Sequence, residues 1–103
     1  MNRAELIDEF NLKADSLVKL GNISIDNLEM SIKIMDYNKR VVYYKICKAE
    51  EFIDDIIDDI VRLRLDYEEK IGTTLERRDD ISALYKRLDR IKDNLTKEDR
   101  AER

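Results

Sequence analysis

Histidine and proline are missing from this chain of 103 residues, which has only two glycines and one cysteine. Without histidine the chain lacks the usual general base near neutral pH and the commonest zinc ligand, so nucleophilic triads and Cys/His zinc sites are excluded. The lone cysteine, Cys47, cannot form a disulfide within the chain. Any catalysis would have to rest on carboxylates, lysine, tyrosine or a metal held by oxygen ligands.

Long apolar segments are also missing. The longest purely apolar run is the four residues 41–44, whereas a membrane-spanning helix needs about 20. The first residues lead into acidic, amphipathic sequence and contain no signal-peptide core. The formal net charge of −4 disfavours duplex nucleic acid, because affinity for phosphates comes from an excess of lysine and arginine. We therefore expect a cytoplasmic protein that binds neither membranes nor nucleic acid.

Charged and hydrophobic residues each make up 43% of the chain, and the hydrophobic ones recur at regular intervals. This composition is typical of long helices and coiled coils. It predicts an all-α fold with one domain over residues 1–95, followed by a charged tail over 96–103. No cofactor is expected.

Glycines and capping residues predict where the helices end. Asn2 is a good N-cap with Glu5 three residues later, which predicts a first helix over about 2–20. Gly21 fits the left-handed position just past a helix C-terminus.

The second glycine predicts the other helix boundary. Gly72 fits the end of a helix, and Thr73 with Glu76 has the spacing of a capping box. A third helix is therefore predicted over about 74–95.

Between the two glycines, a series of positions steps by three and four without a gap, and every member except Lys39 is apolar. We interpret this as one long central helix over about 24–71, against which the two shorter helices pack antiparallel. The alternative is a break near 36–39, where Lys39 is the only polar member, which gives a four-helix bundle. The members are Ile25, Leu28, Ile32, Met35, Lys39, Val42, Ile46, Ala49, Ile53, Ile56, Ile60, Leu63 and Tyr67.

A second apolar stripe lies on the opposite face of this predicted helix. An unbroken helix would leave it exposed, and a large exposed apolar patch usually marks an interaction site. We therefore expect a homodimer and a non-catalytic role as an adaptor or inhibitor that binds another protein. The abundance of isoleucine, lysine, asparagine, aspartate and tyrosine suggests an AT-rich bacterial or phage genome. The stripe comprises Met30, Ile34, Tyr37, Val41 and Tyr44, and Ile23 extends it.

An acidic run covers residues 50–59, and its carboxylates form two rows at a spacing of four. We interpret them as a solvated outer face near the basic residues of the third helix, with Asp59 opposite Arg87. The alternative is a decoy that imitates phosphates and occupies the basic groove of a nucleic-acid-binding protein. The rows are Glu50, Asp54 and Asp58, and Glu51, Asp55 and Asp59.

Two short carboxylate motifs, Asp26-x-x-Glu29 and Glu51-x-x-Asp54, suggest a second alternative. They resemble the E-x-x-E and E-x-x-D motifs of MazG-type nucleotide pyrophosphatases, whose helical carboxylates hold Mg²⁺ over a nucleotide's phosphates. Asp26 departs from that pattern, which has glutamate there. The resemblance implies a Mg²⁺-dependent pyrophosphatase with these four residues as ligands. On one continuous helix the two pairs would lie about 37 Å apart, so a shared metal needs a break or a second subunit.

Overall fold

Helices account for nearly all of the chain that the structure describes. The computed structural model describes residues 1–34 and 39–101, with side chains for 1–33 and 40–94. These ranges contain no strand, which confirms the predicted all-α class. The helices are α1 (Arg3–Ile34), α2 (Lys39–Ile71) and α3 (Arg78–Ala101).

The N-terminus of α1 carries the predicted cap. The Glu5 amide donates to Asn2 Oδ1 at 2.9 Å, and Asn2 Nδ2 donates to Glu5 Oε1 at 3.0 Å. The side chain of the capping residue thus satisfies an amide that has no partner within the helix. The predicted start of the first helix is confirmed.

The predicted end of that helix at Gly21 is wrong, because α1 runs through Gly21 to Ile34. Gly21 is buried, and a Cβ atom there would lie 3.2 Å from both terminal methyl carbons of Leu84. This glycine therefore serves close packing of α3 on α1, and it does not end the helix.

The second helix, α2, packs antiparallel against α1. The rings of Phe10 and Tyr67 lie 5.8 Å apart, whereas a Cβ on Gly21 would lie 3.5 Å from Ile53 Cδ1. Residue 67 thus lies near residue 10, and residue 53 lies near residue 21, so the later residues of α2 lie beside the earlier residues of α1. The chain therefore reverses direction between the two helices. The single helix predicted over 24–71 is therefore wrong. The four-helix alternative is also wrong in that it required a helix to end at Gly21, whereas α1 continues through that residue. The predicted break near 36–39 falls mostly on residues 35–38, outside the described ranges.

The C-terminus of α2 is the one that the sequence predicts. Gly72 has a φ of 78°, and its amide donates to the Glu68 carbonyl at 2.8 Å. The third helix, however, begins at Arg78, four residues later than predicted from Thr73 and Glu76, and it continues to Ala101, beyond the predicted end near residue 95. The connection is held instead by Glu68, whose Oε1 accepts the Leu75 amide at 2.9 Å.

The third helix runs parallel to α1 and antiparallel to α2. Arg87 Nη2 lies 2.6 Å from Asp26 Oδ1 on α1, and the Tyr85 hydroxyl donates to Asp54 Oδ1 on α2 at 3.0 Å. Arg87 therefore faces α1, so the predicted pairing of Asp59 with Arg87 is wrong.

The three helices share an apolar core, to which α1 and α2 contribute many of the predicted three-four positions, together with Ile57, which the pattern did not include. Phe10, Ala14 and Tyr67 form a smaller cluster towards the N-terminus of α1. The side chains of Met35 and Lys39 lie outside the described part. The main cluster contains Ile25, Leu28, Val42, Ile46, Ala49, Ile53, Ile57, Leu84 and Leu88.

Candidate interaction surface

The structure leaves part of the predicted apolar stripe exposed. Met30 on α1 and Tyr44 on α2 are 60% and 63% exposed, and Val41 is half-buried. Ile34 is the last residue of α1, and its side chain lies outside the described part, as does all of Tyr37. Because α2 runs antiparallel to α1, the described members of the stripe lie on two helices and not on one.

A longer row runs along the face of α1 that points away from the core. Leu12 is 70% exposed, Leu20 46% and Ile23 44%. Together with Met30 and two small polar residues they recur at spacings of three and four, which places them on one face of the helix. We call this set the outer row of α1: Leu12, Ser16, Leu20, Ile23, Asn27 and Met30.

The outer row contributes little to the fold, because the buried positions of α1 lie on its other face. Phe10, Ala14, Gly21, Ile25 and Leu28 fill the core from that side. A helix of a monomeric bundle ordinarily carries charged or polar side chains opposite its buried stripe. All six members of the outer row are uncharged, although 43% of the chain is charged.

Sequence reasoning identified Ile23 and Met30 in this row but missed Leu12 and Leu20. The prediction that α1 ended at Gly21 separated these two leucines from the residues that follow. Leu12 lies eleven residues before Ile23, which is three helical turns along the same face. If the helix had been predicted to continue through Gly21, the spacing of three and four would have revealed all members of the row.

Two charged residues beside the outer row, Lys13 and Asp15, are bound to residues outside α1. Asp15 pairs with Arg77, which precedes α3. Lys13 Nζ lies 3.1 Å from Glu9 Oε1 and donates to the Tyr67 hydroxyl on α2 at 2.9 Å. These bonds raise the pKa of Lys13, chiefly through Tyr67, and the bond from Lys13 lowers the pKa of Glu9.

The acidic run on α2 is divided between contacts with α3 and solvent. Glu50 pairs with Lys92, which raises the pKa of that lysine. Asp54 accepts from the Tyr85 hydroxyl, and the pKa of Tyr85 is raised, first by burial and then by this bond. The exposed members are Glu51, Asp54, Asp55, Asp58 and Asp59.

The two carboxylate pairs of the pyrophosphatase motifs do not meet. Asp26 and Glu29 both bind Arg87 Nη2, at 2.6 Å and 3.2 Å, and these bonds raise the pKa of Arg87. Asp54 binds Tyr85 of α3, and Glu51 pairs with Lys48 at 3.4 Å on the outside of α2.

The third helix lies between the two pairs. Tyr85 and Arg87 are two positions apart, about 200° around α3, so they reach α2 and α1 from opposite flanks of that helix. Within residues 1–33 and 40–94, whose side chains the structure describes, no three Asp, Glu or Cys residues are grouped so that they could hold a metal ion. The predicted four-residue ligand set is therefore not assembled within one chain.

In the part of the chain that the structure describes, no helix is both long and apolar enough to cross a membrane. Comparison with protein-family models, with curated proteins and with solved structures found no match for this chain.

Proposed function

We propose that this protein is a non-catalytic interaction protein that pairs with a second copy of itself through the outer row of α1 and then binds another protein as an adaptor or inhibitor. The observation that carries the proposal is an exposed, uncharged helix face in a highly charged chain. Exposed apolar surface of this kind is usually covered by a partner in solution.

The spacing of the row supports a second copy as the first partner. Closed two-fold pairing requires a surface that is complementary to itself. If two α1 helices lie antiparallel about a point near Gly21, Leu12 faces Met30, Leu20 faces Ile23, and polar Ser16 faces polar Asn27. Apolar residues then meet apolar residues throughout, and the two polar residues can hydrogen-bond to each other.

The energies are compatible with such a pair. Burying a large apolar side chain contributes about 1.5–3 kcal/mol, so the exposed fractions of the four apolar members in two copies amount to on the order of 10 kcal/mol. Association itself costs roughly 4–15 kcal/mol. We therefore expect a dimer of moderate affinity whose population depends on concentration.

Non-catalytic action is supported by the bonding of the candidate metal ligands. Asp26 and Glu29 are bound to Arg87, and Asp54 is bound to Tyr85. Arg87 and Tyr85 extend from opposite flanks of α3, so these bonds hold the two carboxylate pairs apart within one chain. The separation supports a role of these side chains in joining the helices.

Sedimentation velocity over a range of concentrations tests the proposal. Ile23→Glu places a charge at the centre of the outer row and should give a folded monomer. Leu65→Glu is the matched control, because Leu65 is also an exposed apolar residue but lies on α2. The control should sediment like the wild type. A wild type that stays monomeric at millimolar concentration would contradict the proposal, as would equal effects of the two substitutions.

A further inference from the structure

A concave site lies between the C-terminal half of α1 and α3. It has a volume of about 350 Å³, and half-buried Ile32 and Ile91 supply its apolar wall. The polar lining includes Lys33, Arg90 and Asn94. We call this the α1/α3 cleft. Its volume falls within the range of roughly 300–1,000 Å³ that small-molecule sites occupy.

The charge of the cleft is opposite to that of the chain. Among the residues whose side chains the structure describes, Lys33, Arg87 and Arg90 line it together with one carboxylate, Glu29, whereas the whole chain has a net charge of −4. Electrostatic focusing by a concave surface of one sign attracts ligands of the opposite sign. An anion would therefore bind here in preference to most of the surface.

Two of these groups are held in place by the protein itself. Glu29 Oε1 lies 3.2 Å from Arg87 Nη2, and Arg87 Nη1 donates to Asn22 Oδ1 at 2.8 Å. Glu29 is four residues before Lys33, which is the usual spacing of an ion pair along a helix. In the structure Glu29 pairs with Arg87, and no ion pair joins it to Lys33.

The remaining cations, Lys33 and Arg90, are both exposed. Neither forms an ion pair or hydrogen bond with any residue that the structure describes. Two like charges at one cleft repel each other, and an anion between them removes that repulsion. An arginine is also suited to hold two oxygens of a carboxylate or phosphate at once.

We propose that the α1/α3 cleft binds a small oxyanion, a carboxylate or a phosphate, carried on an apolar group. Arg90 and Lys33 bind the oxygens, and the Asn94 amide donates a further hydrogen bond. Ile32 and Ile91 contact the apolar part of the ligand. This site lies on different residues from the outer row of α1, so the inference does not depend on dimer formation.

Nuclear magnetic resonance titration of the full-length protein tests this inference. The probes are phenyl phosphate and benzoate, which carry the two oxyanions on the same ring, and benzyl alcohol as the neutral counterpart. We expect saturable shifts of backbone amides in residues 29–33 and 87–94 with one or both anions. Their relative affinities tell whether the site prefers phosphate or carboxylate. Absence of saturable shifts at these amides, or equal binding of the alcohol, would overturn the proposal.

A matched pair of variants separates this site from general attraction of anions. Lys33→Gln with Arg90→Gln should weaken anion binding at least tenfold. Lys19→Gln with Arg62→Gln removes the same charge from exposed positions outside the cleft and should change the affinity less than twofold. Circular dichroism checks that both variants remain helical. Equal losses in the two variants would show that net charge, and not the cleft, attracts the anion.

Discussion

Gly21 and Leu84 pack so closely that a Cβ atom on the glycine would lie 3.2 Å from both terminal methyl carbons of the leucine. Leu84 is 1% exposed, and Ile53 Cδ1 would lie 3.5 Å from the same Cβ. The leucine therefore has little room to move aside. This contact fixes how near α3 can come to α1, and it explains why a glycine stands in the middle of a helix.

The effect of Gly21→Ala should depend on Leu84. Alanine in a helix interior is favoured over glycine by about 0.5–1 kcal/mol, but overpacking a core costs about 1–3 kcal/mol. In the wild type we expect Gly21→Ala to lower the free energy of unfolding by about 1 kcal/mol. With Leu84→Ala already present the clash is gone, so the same substitution should raise it by about 0.5–1 kcal/mol. Urea denaturation of the four proteins measures this cycle.

Two details make that cycle decisive. Leu84→Ala alone should cost about 2–5 kcal/mol, so all four proteins are best compared in sulfate, which strengthens burial. If Gly21 served as a left-handed helix cap, alanine would destabilise the protein by the same amount with or without Leu84. Additive effects in the cycle would therefore contradict the packing role.

Tyr85 should make the protein sensitive to alkaline pH. Tyr85 is 41% exposed, and its partial burial together with the bond to Asp54 raises the pKa of Tyr85 above its ordinary value of 10.0. A group whose pKa is raised in the folded state stabilises that state below its unfolded pKa, and the contribution is lost as the pH rises through the folded pKa. Lys92, whose pKa is raised by Glu50, acts in the same direction. We expect the free energy of unfolding to fall as the pH rises above about 10.

Tyr85→Phe tests this assignment. At pH 7 the variant should be slightly less stable than the wild type, because it lacks the hydrogen bond to Asp54. Above the folded pKa the difference should vanish or reverse. Tyr44→Phe, at a tyrosine that is 63% exposed, is the control and should show the alkaline loss of the wild type. Parallel curves for all three proteins would mean that Tyr85 does not contribute.

The sequence predicted which residues are buried better than it predicted which helices bury them. Ile53 and Ile60 belong to the predicted three-four pattern, and both are buried. A three-four rhythm identifies an apolar face, but it continues in the same way through one long helix or across a hairpin of two helices that share a core. For that reason the packing of Phe10 against Tyr67 could not be predicted from the spacing.

Helix boundaries show the same limit. Asn2 was correctly identified as a cap because its partner, Glu5, is three residues away in sequence. Gly21 was misread because its partner, Leu84, is distant in sequence and becomes a neighbour only in the folded chain. Likewise, the bonds of Arg87 to Asp26 and Glu29 join two helices whose relative direction depends on that boundary.

The central proposal is that two copies pair antiparallel through the outer row of α1. In that arrangement Leu12 of one copy faces Met30 of the other, although the two residues lie about 27 Å apart along one helix. Leu12→Glu and Met30→Lys should each weaken self-association, because each buries a charge against an apolar residue. Circular dichroism should show that both variants keep the helical content of the wild type.

Mixing these two single variants in equal amounts tests the pairing most directly, with sedimentation velocity as the measurement. A mixed dimer holds the new carboxylate against the new ammonium at one end and keeps the original Leu12–Met30 contact at the other. We therefore predict that each variant alone is largely monomeric and that the mixture forms dimers. A parallel pair would leave the two charges about 27 Å apart and would not recover. A mixture that remains as monomeric as its components would contradict antiparallel pairing through the outer row of α1.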